Sequence, residues 1–306
     1  MKKAISLLVG LVVVCNVLQA YCFVFTAHSN GGVVGISDEK GKIQWNMKID
    51  HPQEACVSAD GKKIFVSYTN GAKMYSISDK KILWEYKCPT LLWNGVESDK
   101  LKRGMLTTLE NPVAQILGDD LFLVGNEGRS VLLEINSQCA VLKQIKTESP
   151  NVVKHGEFRL ASKTKSGLYI FPLLSSSLLT VYDANGKQIR RINTESGVVS
   201  AIMLDDNSLI LGGLFGIAFY DKDDKKTRAI TNKDLQAQLG SKDAIIICDV
   251  KLLPNGNLLC TTYGGKEIPD VLEVSLAGKV VRKIDFPEHY FLSALQILDD
   301  DWKPLK

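Results

Sequence analysis

Residues 56–88, CVSADGKKIFVSYTNGAKMYSISDKKILWEYKC, decide the fold of this chain of 306 residues. Three short turns, SADG, TNG and DKK, separate four runs that are rich in β-branched, aromatic and other apolar residues. Short runs of this kind, bounded by Gly, Asn and Asp, are typical of strands that tight turns connect. The segment therefore predicts four sequential antiparallel strands, which we call a to d.

The same order of four strands recurs along the chain, in residues 113–146, 158–192, 198–230 and 244–284. The turns between strands a and b end 40 to 59 residues apart, near Gly61, Asp120, Gly167, Asn207 and Gly256. Most of these spacings match the roughly 40 to 50 residues of a propeller blade. The best helical candidate, Asn232–Leu239, is only one or two turns long and lies between strands.

The two ends of the chain supply the missing parts of a sixth unit. Residues 23–49 contain FVFTAH, VVGIS and IQWNMKI, which are strands b, c and d without an a, whereas FLSALQILDDD at 291–301 is an a strand without a b. Joining the two ends removes open sheet edges, which are prone to aggregation. The sequence predicts an all-β fold: a six-bladed β-propeller of four-stranded antiparallel blades, closed by the C-terminal strand joining the N-terminal blade.

Strand d carries a further pattern, because Trp45 and Trp84 occupy the same position in successive blades, after turns such as DEKGK. This pattern resembles the quinoprotein-like (pyrroloquinoline-quinone repeat) propellers, whose blades often end in turn–Gly–Lys–x–x–Trp. Quinone-binding members of that family have eight blades and adjacent paired cysteines, so the resemblance implies a member that is not a dehydrogenase. We expect no cofactor, and we expect both tryptophans to pack between blades, since Trp is large and mostly buried.

The N-terminus has the layout of a secretory signal peptide. Lys2 and Lys3 precede an apolar run over residues 4–18, and the small residue Ala20 follows. The alternative, a transmembrane anchor, needs about 20 apolar residues, and this run is shorter. We predict a signal peptide over residues 1–20, a single propeller domain over 21–306 with no transmembrane span, and a periplasmic, cell-surface or extracellular location.

Charge and motifs exclude several function classes. The chain has 37 basic and 34 acidic residues, a net charge of +3, and no basic stripe of the kind that binds nucleic acid. The motifs GxSxG and HExxH and a phosphate-binding loop are absent. The seven cysteines include no CxxC pair and no metal-ligand spacing, and the sequence leaves their disulfide pairing open. We therefore expect a protein partner or a small-molecule or carbohydrate ligand, without a bound metal.

Candidate binding residues concentrate on one face of the predicted ring. Strand a lines the central channel of a propeller, the d–a and b–c loops share one face (the loop face), and the a–b and c–d turns share the other (the turn face). The d–a loops are the longer and more varied, and all four histidines map to the loop face. The candidate ligand-binding residues are His28, His51, Glu54, His155, Arg159, Tyr263 and His289. Asp249 and Lys251 share one side of an inner strand, where they line the channel or form a structural ion pair.

Two functions follow from this distribution. The first is an exported binding or scaffold propeller that engages its ligand or protein partner on the loop face, at the channel mouth. The alternative is a channel-mouth hydrolase, lyase or transferase that uses His with Glu or Arg as acid–base or oxyanion groups. A carbohydrate ligand would stack on Trp93 and Tyr290.

Overall fold

The computed structural model describes residues 21–28, 31–88, 92–93, 96–97, 110–148, 157–286, 288 and 290–305. These residues form six four-stranded antiparallel sheets, arranged as the blades of a ring, and one two-stranded sheet. The predicted all-β, six-bladed propeller is confirmed. The predicted signal peptide, His155 and His289 lie outside the described residues.

The first three blades follow one another along the chain, apart from the strand that closes blade 1. Blade 1 contains β26 (Leu292–Leu298), β1 (Cys22–Ala27), β2 (Val33–Asp38) and β3 (Ile43–Lys48). Blade 2 contains β4 (Pro52–Val57), β5 (Lys63–Tyr68), β6 (Gly71–Ser76) and β7 (Ile82–Lys87). The short strands β8 (Leu92–Trp93) and β9 (Val96–Glu97) pair with each other. Blade 3 contains β10 (Ala114–Gly118), β11 (Leu121–Asn126), β12 (Val131–Ile135) and β13 (Val141–Lys146).

Blades 4 to 6 complete the ring. Blade 4 contains β14 (Ser162–Lys163), β15 (Tyr169–Leu173), β16 (Leu178–Tyr182) and β17 (Gln188–Asn193). Blade 5 contains β18 (Val198–Met203), β19 (Leu209–Gly213), β20 (Gly216–Tyr220) and β21 (Lys226–Thr231), and the helix α1 (Asn232–Leu239) follows it. Blade 6 contains β22 (Ile245–Leu252), β23 (Leu258–Gly264), β24 (Val271–Val274) and β25 (Val280–Ile284).

The ring closes where the two ends of the chain meet in blade 1. Strand β26 pairs antiparallel with β1, from Cys22 opposite Leu298 to Ala27 opposite Leu292. The sheet order β26-β1-β2-β3 is the one that the complementary ends of the sequence predict. The closure covers the inner edge of β1, which would otherwise stay unpaired and face the channel.

Two local features, helix α1 and the first strand of blade 4, can be compared in detail with the sequence prediction. Helix α1 has the predicted bounds, and it begins with a capping box in which Thr231 and Asp234 bond each other's backbone N–H. It ends at Gly240, whose φ of 69° suits glycine. Strand a of blade 4, predicted from residue 158 onward, is regular only over β14, because Leu160 turns away from strand b to form a parallel bridge with Ser200 of blade 5.

The blades adhere through apolar clusters between adjacent sheets and through tryptophan hydrogen bonds at their outer edge. Phe65 of blade 2 packs against Phe122 of blade 3 with ring centroids 5.3 Å apart. The Trp45 Nε1–H donates to the carbonyl of Ile77 in the next blade at 2.9 Å. The Trp84 Nε1–H donates in the same way to Ser137 O at 2.7 Å. The predicted packing of both tryptophans between blades is confirmed.

These two tryptophans belong to a series that the sequence pattern hides. The third residue of strand d is a hydrogen-bond donor in every blade, and in five blades it donates to a turn carbonyl of the next blade. The other three such bonds are Lys143 to Ala184 O (3.1 Å), Arg190 to Asn207 O (2.7 Å) and Arg282 to Glu39 O (2.9 Å). In blade 5 the third residue, Arg228, lies over the Phe219 ring, and Gln238 of α1 donates to Gly278 O instead, at 2.9 Å.

We expect Trp84→Phe to lower the free energy of unfolding by about 1 kcal/mol, because it keeps an aromatic ring but removes the bond to Ser137. Urea denaturation followed by circular dichroism measures this change. Trp302→Phe is the matched control, since Trp302 follows β26 and lies outside the strand-d series. An equal loss in the two variants would contradict the role of the turn carbonyl.

Candidate functional site

Polar side chains of the inner strands link four of the six blades to the next blade around the channel. Glu54 Oε2 accepts from the backbone N–H of Ala114 in blade 3 at 2.7 Å. Asp249 Oδ2 accepts from the N–H of Leu295 in blade 1 at 2.9 Å. Two glutamines make equivalent contacts through a neutral amide. Gln115 donates to the C=O of Lys163 and accepts from its N–H, both at 2.8 Å. Gln296 accepts from Val57 N at 2.8 Å.

The two carboxylates of this series, Glu54 and Asp249, lie in the channel with the ammonium of Lys251. Asp249 and Lys251 lie two residues apart on β22 and therefore on the same side of the strand. Lys251 Nζ lies 3.0 Å from Asp249 Oδ1, and the Asp249 side chain is fully buried, whereas that of Lys251 is 28% exposed. Both predicted alternatives for this pair hold, since it is an ion pair and it lines the channel cavity.

The electrostatics of this group follow from its depth in the ring. Burial raises the pKa of Glu54 to about 8, against the attraction of the Lys251 ammonium. Burial alone would lower the pKa of Lys251, but the carboxylates of Asp249 and Glu54 outweigh it and the pKa is raised. Lys251 is therefore charged at neutral pH, while Glu54 is a carboxyl that neutral pH leaves largely protonated.

A cavity of about 580 Å³ occupies the channel beside these residues. Glu54, Asp249 and Lys251 form a charged wall from blades 2 and 6, and the charged residues Lys163, Lys165 and Asp205 of blades 4 and 5 also line the cavity. The half-buried apolar residues Ile202, Met203 and Leu204 contribute from blade 5, and the cavity reaches the a–b turns of blades 4 and 5, where residues 164–166, 205 and 207 line it. The cavity thus opens toward the turn face, and its volume is in the range of small-ligand sites.

Three of the predicted binding residues, His28, His51 and Tyr263, lie on the loop face. The backbone N–H of His28 donates to Phe291 O at 3.1 Å, and the ring of Tyr263 lies 4.9 Å from that of Phe291. His28 and Tyr263 therefore come together around Phe291. His51 lies in the neighbouring d–a turn with φ of 47°, and its Nε2 is 3.4 Å from Asp50 Oδ1.

The remaining described candidates lie elsewhere in the ring. Arg159 lies where strand a of blade 4 begins, and its guanidinium is 3.3 Å from Glu110 Oε2. Two buried carboxylates are close by in the chain or in space: Glu127 accepts from Phe158 N at 3.3 Å, and Glu157 accepts from the Ser176 hydroxyl. Glu54 lies in the channel cavity.

Phe291 was not among the binding residues predicted from the sequence, and the expectation for its neighbour Tyr290 was wrong. Tyr290, expected to stack on a carbohydrate, is buried, with its ring 5.9 Å from Phe25 and 5.7 Å from Phe286. Phe291 is the exposed aromatic residue instead. The alternation at the start of β26 could have indicated this exposure. Tyr290, Leu292 and Ala294 are buried, and Phe291 between the first two faces outward.

In the described part of the chain, no group of three or more His, Cys, Asp or Glu residues could hold a metal ion. The six cysteines there are free thiols. The described helix is not long and apolar enough to cross a membrane.

Comparison with solved structures supports the fold. A protein of unknown function from Bacteroides caccae superimposes with a TM-score of 0.71 at 21% identity, covering 90% of this chain and 98% of that one. The WD40 β-propeller domain of Doa1 gives a TM-score of 0.57 at 11% identity, with 82% and 73% covered. Virginiamycin B lyase from Staphylococcus aureus gives 0.51 at 14% identity, with 78% and 70% covered. No family model and no curated protein matches the chain.

We expect Glu54→Gln to flatten the pH dependence of stability. An ordinary Glu has a pKa of about 4.3 when unfolded. Between that value and about 8 the folded chain holds a proton on Glu54 that the unfolded chain has lost, so stability falls as pH rises through this window. Glutamine keeps an oxygen for Ala114 N and does not titrate.

Urea denaturation at about pH 6 and about pH 9 measures the effect. We expect the unfolding free energy of the unsubstituted chain to fall about 1–3 kcal/mol more than that of the variant across this interval. Glu195→Gln, at an exposed carboxylate paired with Lys226, is the control and should follow the unsubstituted chain. Parallel pH profiles for Glu54→Gln and the unsubstituted chain would contradict the raised pKa.

Proposed function

We propose that the chain is an exported binding or scaffold propeller that engages a ligand or protein partner on the loop face, beside the channel mouth. One observation carries this proposal: Tyr263 and Phe291 pack together on that face while 47% and 36% exposed. Aromatic side chains are enriched at protein interfaces and dominate their binding energy. A paired, exposed set at the mouth of a ring is therefore the preferred anchor for a partner.

The surroundings of this aromatic pair support the same proposal. Tyr263 lies near the end of β23 and Phe291 precedes β26, so the pair spans the junction between blades 6 and 1. His28 lies against Phe291 through its backbone, which adds a titratable side chain to the rim. An apolar centre with a polar rim is the usual anatomy of a binding surface.

The charged residues of blades 3 and 4 extend this surface across the channel mouth. Arg159 and Glu110 form an ion pair there with both side chains largely buried. Polar groups at the same face as the aromatic pair favour a protein or a polar small molecule, including a carbohydrate, over a purely apolar ligand. His155 and His289, outside the described residues, belong to this proposed face through the sequence alone.

The fold family is part of the same proposal. Trp45 and Trp84 at the third position of strand d support a quinoprotein-like propeller. The six blades differ from the eight of quinone-binding members, which supports a member that is not a dehydrogenase. The channel-mouth enzyme with His and Glu or Arg stays a prediction of the sequence.

Site-specific photo-crosslinking in the cells that produce the chain tests the proposed face. We expect a photoreactive residue at position 263 to give a discrete adduct, because Tyr263 lies at the aromatic pair. Position 276 is the matched control: Leu276 is 42% exposed in the c–d turn of the same blade, on the opposite face.

Phe291→Ala combined with the probe at 263 should weaken or remove the adduct. The proposal fails when position 263 gives no adduct, or when positions 263 and 276 give the same one.

Export has its own test. We expect the intact mass of the chain recovered from its native host to lack residues 1–20, with two lysines removed from the net charge. Substituting Lys2 and Lys3 by glutamate should lower the exported fraction, since the positive n-region is lost. A full-length chain retained in the cytoplasm would contradict export.

A further inference from the structure

The channel cavity carries an inference that is independent of the loop-face proposal. Its charged wall contains donor and acceptor atoms that make no hydrogen bond between the blades. Asp249 is fully engaged, because Oδ1 accepts from Val250 N (2.8 Å) and Lys251 Nζ (3.0 Å), and Oδ2 accepts from Leu295 N (2.9 Å). Glu54 uses Oε2 for Ala114 N. Two groups therefore remain available to hydrogen-bond a ligand in the cavity: Glu54 Oε1, and the N–H groups of Lys251 that do not point at Asp249.

The second observation is the apolar side of the same cavity. Ile202, Met203 and Leu204 line it while only half-buried, so they present apolar surface to the channel. The cavity therefore offers a carboxyl and an ammonium on one side and aliphatic surface on the other. The Lys251 ammonium would repel a purely cationic ligand, and the Asp249 carboxylate would repel a purely anionic one.

We propose that this cavity binds a small zwitterion of the α-amino acid class with an apolar side chain. The ligand ammonium lies against Glu54, whose carboxyl releases its proton to solvent as the cation binds. The ligand carboxylate accepts from Lys251, and the ligand side chain lies against Met203 and its neighbours. The cavity volume of about 580 Å³ accommodates a free amino acid with room for water.

Isothermal titration calorimetry on the folded chain tests this assignment with defined probes. L-leucine and L-methionine are the ligands, N-acetyl-L-leucine and L-leucinamide are the matched controls with one charge blocked, and glucose represents a neutral polyol. We expect leucine and methionine to bind, and each blocked analogue to bind about tenfold more weakly or not at all.

Two variants locate the binding in the cavity. Glu54→Gln keeps the bond to Ala114 and should weaken leucine about tenfold while leaving the affinity for N-acetyl-L-leucine unchanged. Lys251→Met should also weaken leucine binding, because it removes the donor to the ligand carboxylate. Glu195→Gln, at an exposed carboxylate, should change nothing.

The proposal is overturned when leucine and its blocked analogues bind equally, when glucose binds and leucine does not, or when no probe binds at millimolar concentration to a chain that circular dichroism shows to be folded. Phe291→Ala separates this site from the loop face, because it should leave leucine binding intact whatever it does to the crosslinked partner.

Discussion

The structure depends on the antiparallel pairing of β1 with β26. Every other blade is built from four consecutive strands, whereas blade 1 takes its inner strand from the far end of the chain. Without this strand, β1 would present an unpaired edge to the channel and blade 6 would lack its neighbour. The channel residues depend on the same pairing, since Asp249 bonds Leu295 of β26 and Gln296 of β26 bonds Val57.

Two concentric sets of polar contacts then hold the blades at fixed angles. The inner set runs from side chains of strand a to the backbone of the next blade, and the outer set runs from the third residue of strand d to the next turn. Between them lie the apolar clusters, which supply most of the burial. The inner set uses carboxylates at two interfaces, and this is why a structural contact leaves a charged, partly unsatisfied wall inside the channel.

Strand order, blade number and closure could be read from the sequence because each depends on local alternation and turn residues, as in residues 56–88. The outer contacts could not, because Trp84, Lys143 and Arg190 share an N–H donor and not a residue type. The residues of the channel cavity were harder to predict from the sequence. The pattern predicted Asp249 and Lys251 as channel residues, but it could not tell that Glu54 and Ser200 share a cavity with them, since these four come from three blades. The exposure of Phe291 likewise depends on the register of β26 at the rim.

Closure by the terminal strand has a consequence for the order in which the molecule acquires its structure. The contact between Cys22 and Leu298 joins the two most distant described strands, and so forming it carries the largest loop-closure cost in the chain. Synthesis delivers β26 last, so a growing chain can form blades 2 to 6 yet remain an open arc. Circularisation is then a late, non-local step, and until it occurs the inner edge of β1 stays without its partner strand.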